Sequence, residues 1–193
     1  MIERKRANTR SLVLCAMLTA LVIILQMMGT FVRLGPFQIA LVLVPIVIGA
    51  ATCGVRMTGW LGLVFGAVVL LNGDAAAFLS INALGTVATV LLKGVACAFA
   101  AGLVYRLLEK YNRYLAVLCA AFVCPVVNTG VFLLGCVAFF WDTITAWGIA
   151  EGYNSTVAYI FLFMVGGNFL VELASNMLLS PVILRILNIR KKA

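Results

Sequence analysis

Six long apolar stretches run through this chain, at Ser11 to Gly29, Gln38 to Cys53, Met57 to Leu71, Gly85 to Leu107, Tyr114 to Phe140 and Val157 to Leu187, with short polar breaks between them. A helix needs about 20 apolar residues to cross a hydrocarbon core about 30 Å thick, and inside lipid a backbone must satisfy its own N–H and C=O groups. The sequence therefore predicts an all-α integral membrane protein, a single domain over residues 1–193 with six transmembrane helices. The second and third runs are short for the bilayer and are expected to be irregular or incompletely spanning. The rest of the composition agrees, because 65% hydrophobic and 10% charged residues lie far outside the range of soluble domains.

The net charge of +8 would suggest a nucleic-acid partner in a soluble protein. Here the cations cluster between apolar runs, so no nucleic acid is expected and the bilayer itself is the partner they imply. An even number of spans puts both termini on one side. Arg4, Lys5, Arg6, Arg10, Arg56, Arg106, Lys110, Arg113, Arg185, Arg190, Lys191 and Lys192 all fall on that side, which is therefore expected to be cytoplasmic. The opposite loops hold Arg33 as their cation, with Asp74, Asp142 and Glu151. The first run follows basic residues as a signal peptide would, but it is too long for a cleaved segment and no clear A-x-A site follows, so it is expected to remain as the first membrane helix.

Chemistry is bounded by what is missing. There is no histidine, and Cys15, Cys53, Cys97, Cys119, Cys124 and Cys136 have neither metal-ligand nor redox spacing. They read as small apolar fillers, and no metal or cofactor is implied. Walker A, H-E-x-x-H and acyl-transfer signatures do not occur, so the chain is expected to be no enzyme and to have no catalytic residues. A membrane-embedded enzyme acting on lipid stays as one alternative. A self-sufficient secondary transporter is another, although such proteins usually carry an internal repeat and the two three-helix halves here are unlike.

Polar residues at depth are costly unless paired or useful, and they fall on three helical faces. Asn82, Thr86, Thr89 and Lys93 share one face of the fourth helix by spacings of four, three and four. In the fifth, Asn128, Phe132, Gly135 and Phe139 share another, just beyond Pro125, where Asn128 and Thr129 serve either a proline kink or a ligand. In the sixth, Asn168, Glu172 and Asn176 recur every four residues. Lys93 and Glu172 lie at comparable depths and form either a structural ion pair or a site in which Lys93 meets a ligand carboxylate. The outward loops Asn72 to Leu84 and Trp141 to Thr156 are longer than a connection needs and read as lids or interfacial anchors.

Small residues mark the helix contacts. In Val44 to Gly66, two short apolar runs are expected to pack on each other as a tight hairpin through glycine and alanine, with a turn at Thr52 to Thr58 carrying Arg56. In the first helix, Ala16 and Ala20 leave a flat patch, suited either to this chain's own helices or to a partner helix.

Pro45 entering an apolar helix, Ile48-Gly49-Ala50, the one-arginine turn, Gly59-x-x-Gly62-x-x-x-Gly66, the A-x-x-x-A at Ala16 and Ala20, and the P-x-x-N-T at Pro125 to Thr129 together resemble the substrate-binding S components of energy-coupling factor (ECF) vitamin transporters. One departure is Cys53-Gly54-Val55-Arg56, where many members have Gly-Pro. The resemblance covers nearly the whole chain. It implies a multi-pass protein of the bacterial plasma membrane that binds a vitamin from outside with high affinity, docks through Ala16 and Ala20, and partners a transmembrane coupling protein and two ATPase subunits that hydrolyse the ATP. It implies too that the ligand pocket lies in the outer halves of the last three helices. The pocket expected here comprises Asn82, Thr86, Thr89, Lys93, Asn128, Phe132, Phe139, Asn168 and Glu172. One deep cation, several amides and hydroxyls and an aromatic wall suit a small carboxylate. Pantothenate is the favoured vitamin, with riboflavin the runner-up.

Overall fold

The computed structural model describes residues 9–29, 33–34, 37–38 and 41–192. Arg4, Lys5 and Arg6 of the basic cluster, and the Gly35-Pro36 turn, lie outside the described residues. Among the described residues, each apolar run folds mainly as helix: α1 (Thr9–Gly29), α2 (Leu43–Thr52), α3 (Val55–Leu71), α4 (Ala76–Leu79), α5 (Ala83–Leu108), α6 (Arg113–Phe139), α7 (Trp141–Ala150), α8 (Thr156–Tyr159) and α9 (Gly166–Lys192), the last two joined by a π-helical turn at Ile160–Val165. Between α1 and α2, β1 (Arg33–Leu34) pairs antiparallel with β2 (Phe37–Gln38), Arg33 opposite Gln38 and Leu34 opposite Phe37.

Four segments, Leu12–Gly29, Ala83–Leu108, Arg113–Phe139 and Thr156–Arg185, are long and apolar enough to cross a membrane, whereas Leu43–Thr52 and Val55–Leu71 are shorter. Large apolar side chains such as Met17, Ile24, Leu92, Leu134, Leu162 and Leu178 point outward. A surface of this kind needs lipid around it. Both stretches expected as outward loops contain helix instead. Ala76–Leu79 forms one turn, and Trp141–Ala150 forms a helix that buries Ile144 and Gly148.

Side-chain caps fix where the two central helices start. The Asn82 carbonyl oxygen accepts from Gly85 N (2.9 Å) at the start of α5, and that of Asn112 accepts from Tyr114 N (2.8 Å) at the start of α6. The break between α2 and α3 is tighter than the expected Thr52 to Thr58. It consists of Cys53 and Gly54, whose φ of +83° favours glycine, and Arg56 lies exposed in the first turn of α3.

The glycines of α3 face a different helix from the one expected. Gly59, Gly62 and Gly66 all turn to α5, where they meet Phe99, the Gly94 carbonyl with Ala98, and the Val90 carbonyl with Leu91. Gly62 and Gly94 face one another backbone to backbone, and a Cβ on either would meet the other's carbonyl. The contribution of α2 is Gly49, set against Leu61 of α3. Alanines line the helix contacts as well: Ala98 and Ala101 of α5 and Ala116, Ala120 and Ala121 of α6 are fully buried. Lipid gives no hydrophobic drive between helices, so close backbone approach is what makes these contacts favourable. Thus α5 packs along α3 on one side and α6 on the other, with α1 against α2 and α3, and α9 against α6 and α2.

This crossing yields a prediction. Gly62→Ala forces a methyl group into backbone and should destabilise the protein by about 1–3 kcal/mol, seen as a lower thermal unfolding midpoint in detergent. Gly130, with nothing within 4 Å of a Cβ position, is the control. There alanine should be neutral or slightly stabilising through its higher helix propensity, and equal midpoints for the two variants would contradict the crossing.

Candidate functional site

Two apolar clusters form the core. The larger runs through α1, α2, α3, α5, α6 and the end of α9, and the smaller gathers Phe78, Cys136, Phe140, Ile144, Tyr159, Ile160, Met164 and Val165. Between them lies a cavity of about 270 Å³ whose walls draw on both clusters and whose polar groups come mainly from α5, α6 and α9.

Seven of the nine expected site residues line this cavity: Thr86, Thr89, Lys93, Asn128, Phe132, Asn168 and Glu172. The other two are placed elsewhere. Asn82 is used as the cap of α5, and its main-chain carbonyl accepts the Thr86 hydroxyl (2.7 Å). Phe139 is 48% exposed and stands beside Gly85 of α5. The cavity face of α6 in fact repeats every four residues, through Asn128, Phe132, Cys136 and Phe140, while Gly135 turns to Thr89 of α5. The backbone leaves the helical path at Phe140 (φ −134°), and the ring of Phe140, not that of Phe139, enters the wall.

The structure adds residues that the helical-face reading of the sequence passed over. Gln26 of α1 is buried and donates from Nε2 to the Asp74 carboxylate (3.1 Å), which accepts from the Asn72 amide as well (2.6 Å). A lone amide in an apolar run was the available signal for Gln26. Phe65, Phe78 and Phe169 complete the aromatic wall with Phe132 and Phe140. Phe78 meets Phe132, Phe140 and the Trp147 ring of α7 edge-on, at centroid distances of 5.9, 5.0 and 5.6 Å.

Lys93 is the cation of this cavity. Its ammonium lies 5.6 Å from the Phe65 ring centroid and 5.4 Å from that of Phe132, close enough for cation–π attraction from both faces. Glu172, buried on α9, is the acid that bears on it most strongly. Around this pair stand polar atoms that find no hydrogen-bond partner among the described residues: Thr89 Oγ1, Asn128 Oδ1, and both Oδ1 and Nδ2 of Asn168. A buried polar atom left unpaired costs about 1–3 kcal/mol. Here four such atoms, on three side chains from three helices, surround one cavity, and unpaired buried polar groups in this number call for an explanation.

A family described as ECF transporter, substrate-specific component, matches the chain over residues 10–184. The chain belongs to this family. Comparison with curated proteins and comparison with solved structures each gave no significant match. As a substrate-specific component, the protein is a membrane-embedded transport subunit that takes a small-molecule substrate and works with the ECF module, and it is not itself an enzyme. That membership separates it from a self-sufficient transporter and from a lipid enzyme.

The unpaired amide of Asn168 gives the second prediction. Asn168→Leu replaces a stranded amide with an apolar group of similar size, so it should stabilise the ligand-free protein by about 1–3 kcal/mol while weakening substrate binding. A lower unfolding midpoint in detergent would show that the amide is satisfied in the empty protein.

Proposed function

We propose that the cavity between the two core clusters is the high-affinity site for a carboxylate-bearing vitamin, and that pantothenate fits it best. The observation that carries this reading is Lys93, a cation deep in the transmembrane region, facing a cavity among unpaired amide and hydroxyl atoms. A carboxylate meets the ammonium, hydroxyl and amide N–H groups reach Asn128 and Thr89, and Glu172 receives a further hydroxyl. Size points the same way, because a volume of about 270 Å³ falls just below the roughly 300–1,000 Å³ of sites for drug-sized molecules. The five phenylalanines favour a flat-ringed vitamin such as riboflavin as the second reading. Against it, the rings around Phe78 meet edge to face and offer no parallel slot for a tricyclic system.

A charge-assisted hydrogen bond in a dry pocket contributes about 1.5–3 kcal/mol. Lys93→Gln should therefore weaken binding of pantothenate by roughly ten- to a hundred-fold, measured by titration calorimetry on the purified protein. Mass spectrometry of the small molecule that co-purifies with the wild type should show a carboxylate. A neutral co-purified molecule, or unchanged affinity in the variant, would remove Lys93 as the counter-ion and leave its pairing with Glu172 as the better account.

In the same reading, α1 docks on the coupling protein of the module, whose two ATPase subunits supply the motion, with both termini of this chain on the cytoplasmic side. Support comes from the placement of Ala16 and Ala20. Both are exposed on α1, on the side away from the buried Cys15, Leu18 and Val22, and they form a shallow step beside the protruding Val13 and Met17. Ala16→Trp or Ala20→Trp should hold two helix backbones apart and abolish ATP-driven uptake in cells, while affinity of the isolated protein for pantothenate stays within about twofold. Normal uptake by both variants would sink the docking assignment.

A further inference from the structure

The final membrane segment does not keep one helical register. Its buried residues come in pairs, and the pair Tyr159 and Ile160 is followed five residues later by Met164 and Val165, after which burial recurs every four at Asn168, Glu172, Asn176 and Ser180. Five is the spacing of a π turn, and the π-helical segment Ile160–Val165 runs from the first pair to the second. Phe161, Leu162 and Phe163 are thereby turned outward. An unbroken α-helix continuing from Tyr159 and Ile160 would instead carry residues 163, 166, 167 and 170 to the inside, because each residue advances the helix by about 100°. The extra residue in the turn rotates Asn168 and Glu172 into the cavity.

One glycine makes this turn possible. A Cβ at Gly166 would press into the carbonyl oxygen of Phe161, one π turn back, whereas a Cβ at Gly167 meets nothing within 4 Å. Neighbouring glycines thus have different reasons for being there. Upstream, the turn is anchored on the smaller core cluster, with Tyr159 against Gly148 of α7 and its ring 5.3 Å from that of Tyr153. Downstream, the first polar side chain it aims is Asn168, nine-tenths buried, lining the cavity and unpaired at both its carbonyl and its amide nitrogen.

The geometry points to Gly166 and its π turn as the positioning device of the substrate site: the turn presents Asn168 so that its amide reads a donor and an acceptor on one substrate at once. Gly166 itself touches no substrate. This rests on the reading of the cavity as the substrate site, and it deepens that reading by specifying an anion that also carries a hydroxyl or amide unit. A site that hydrogen-bonds a substrate hydroxyl discriminates strongly against the analogue that lacks it, because its own polar atoms are then left unpaired.

The test compares Gly166→Ala with Gly167→Ala in the purified full chain, titrated with pantothenate and with its analogue lacking both hydroxyls. Wild type and Gly167→Ala should agree within about twofold for pantothenate and reject the analogue by at least a hundred-fold. Gly166→Ala should lose at least tenfold in affinity for pantothenate and most of the discrimination, and adding Asn168→Leu to it should cost less than threefold more. A merely structural glycine would lower stability and leave the discrimination ratio intact. If Gly166→Ala does not fold, deletion of Leu162, which removes the extra residue, replaces it with the same expectation. Equal affinity and discrimination in the Gly166 and Gly167 variants would overturn the inference. Should the wild type fail to bind pantothenate, the vitamin assignment falls alone. The two variants are then scored by the amount of the wild type's own co-purifying molecule they retain per mole of protein, and equal retention overturns the positioning role.

Discussion

The contact on which the rest of the structure depends is the backbone-to-backbone crossing of α3 and α5 at Gly62 and Gly94. Lys93 is the residue before Gly94, and Phe65 stands one helical turn after Gly62. Where the two helices touch is therefore where an aromatic ring comes within cation–π distance of a membrane-embedded ammonium. Any side chain at the crossing would move the helices apart and take Phe65 from Lys93. The packing motif and the charged site are one geometric fact.

A lysine so far from either end of its helix is tolerated here because three different effects act on it together. Two phenylalanine faces offer quadrupole attraction, Glu172 offers an opposite charge from a third helix, and the cavity leaves room beside the ammonium. Each is modest. Their convergence explains why the polar groups of α5, α6 and α9 meet at one depth, since a charge without a cavity beside it would be expelled or neutralised.

Much of this was legible in the chain. The six apolar runs predicted the helices, because the bilayer leaves few alternatives, and spacings of three and four placed Thr86, Thr89, Lys93, Asn128, Phe132, Asn168 and Glu172 on faces that the structure brings around one cavity. What failed had local causes. The partner of the α3 glycines was taken to be the next helix in sequence, yet glycines show only that something approaches closely, and the approach comes from α5. Phe139 was placed by taking a spacing of three to Gly135, where the cavity face of α6 keeps spacings of four through Cys136 to Phe140. Asn82 sat on the correct face but one turn too early, where a helix start had a stronger claim on its side chain. Gln26 and Asp74 meet only in three dimensions, 48 residues apart, and no periodicity could join them. The π turn was invisible for a different reason: the spacing on either side of it is ordinary, and only burial on both sides exposes the added residue.

Helix packing and the cavity lining are carried by separate residues on the same helices. Along α5, Gly94, Ala98 and Ala101 meet neighbouring helices, whereas Thr89 and Lys93 face the cavity. Along α6, Ala116, Ala120 and Ala121 pack, whereas Asn128 and Phe132 face inward. With the cavity as the proposed cargo site, a handful of substitutions at the cavity-facing positions would retarget the protein to another cargo without disturbing the helix crossings. Such a division separates the demand for close backbone approach, which only small residues meet, from the chemistry of the interior, which many residue types could change.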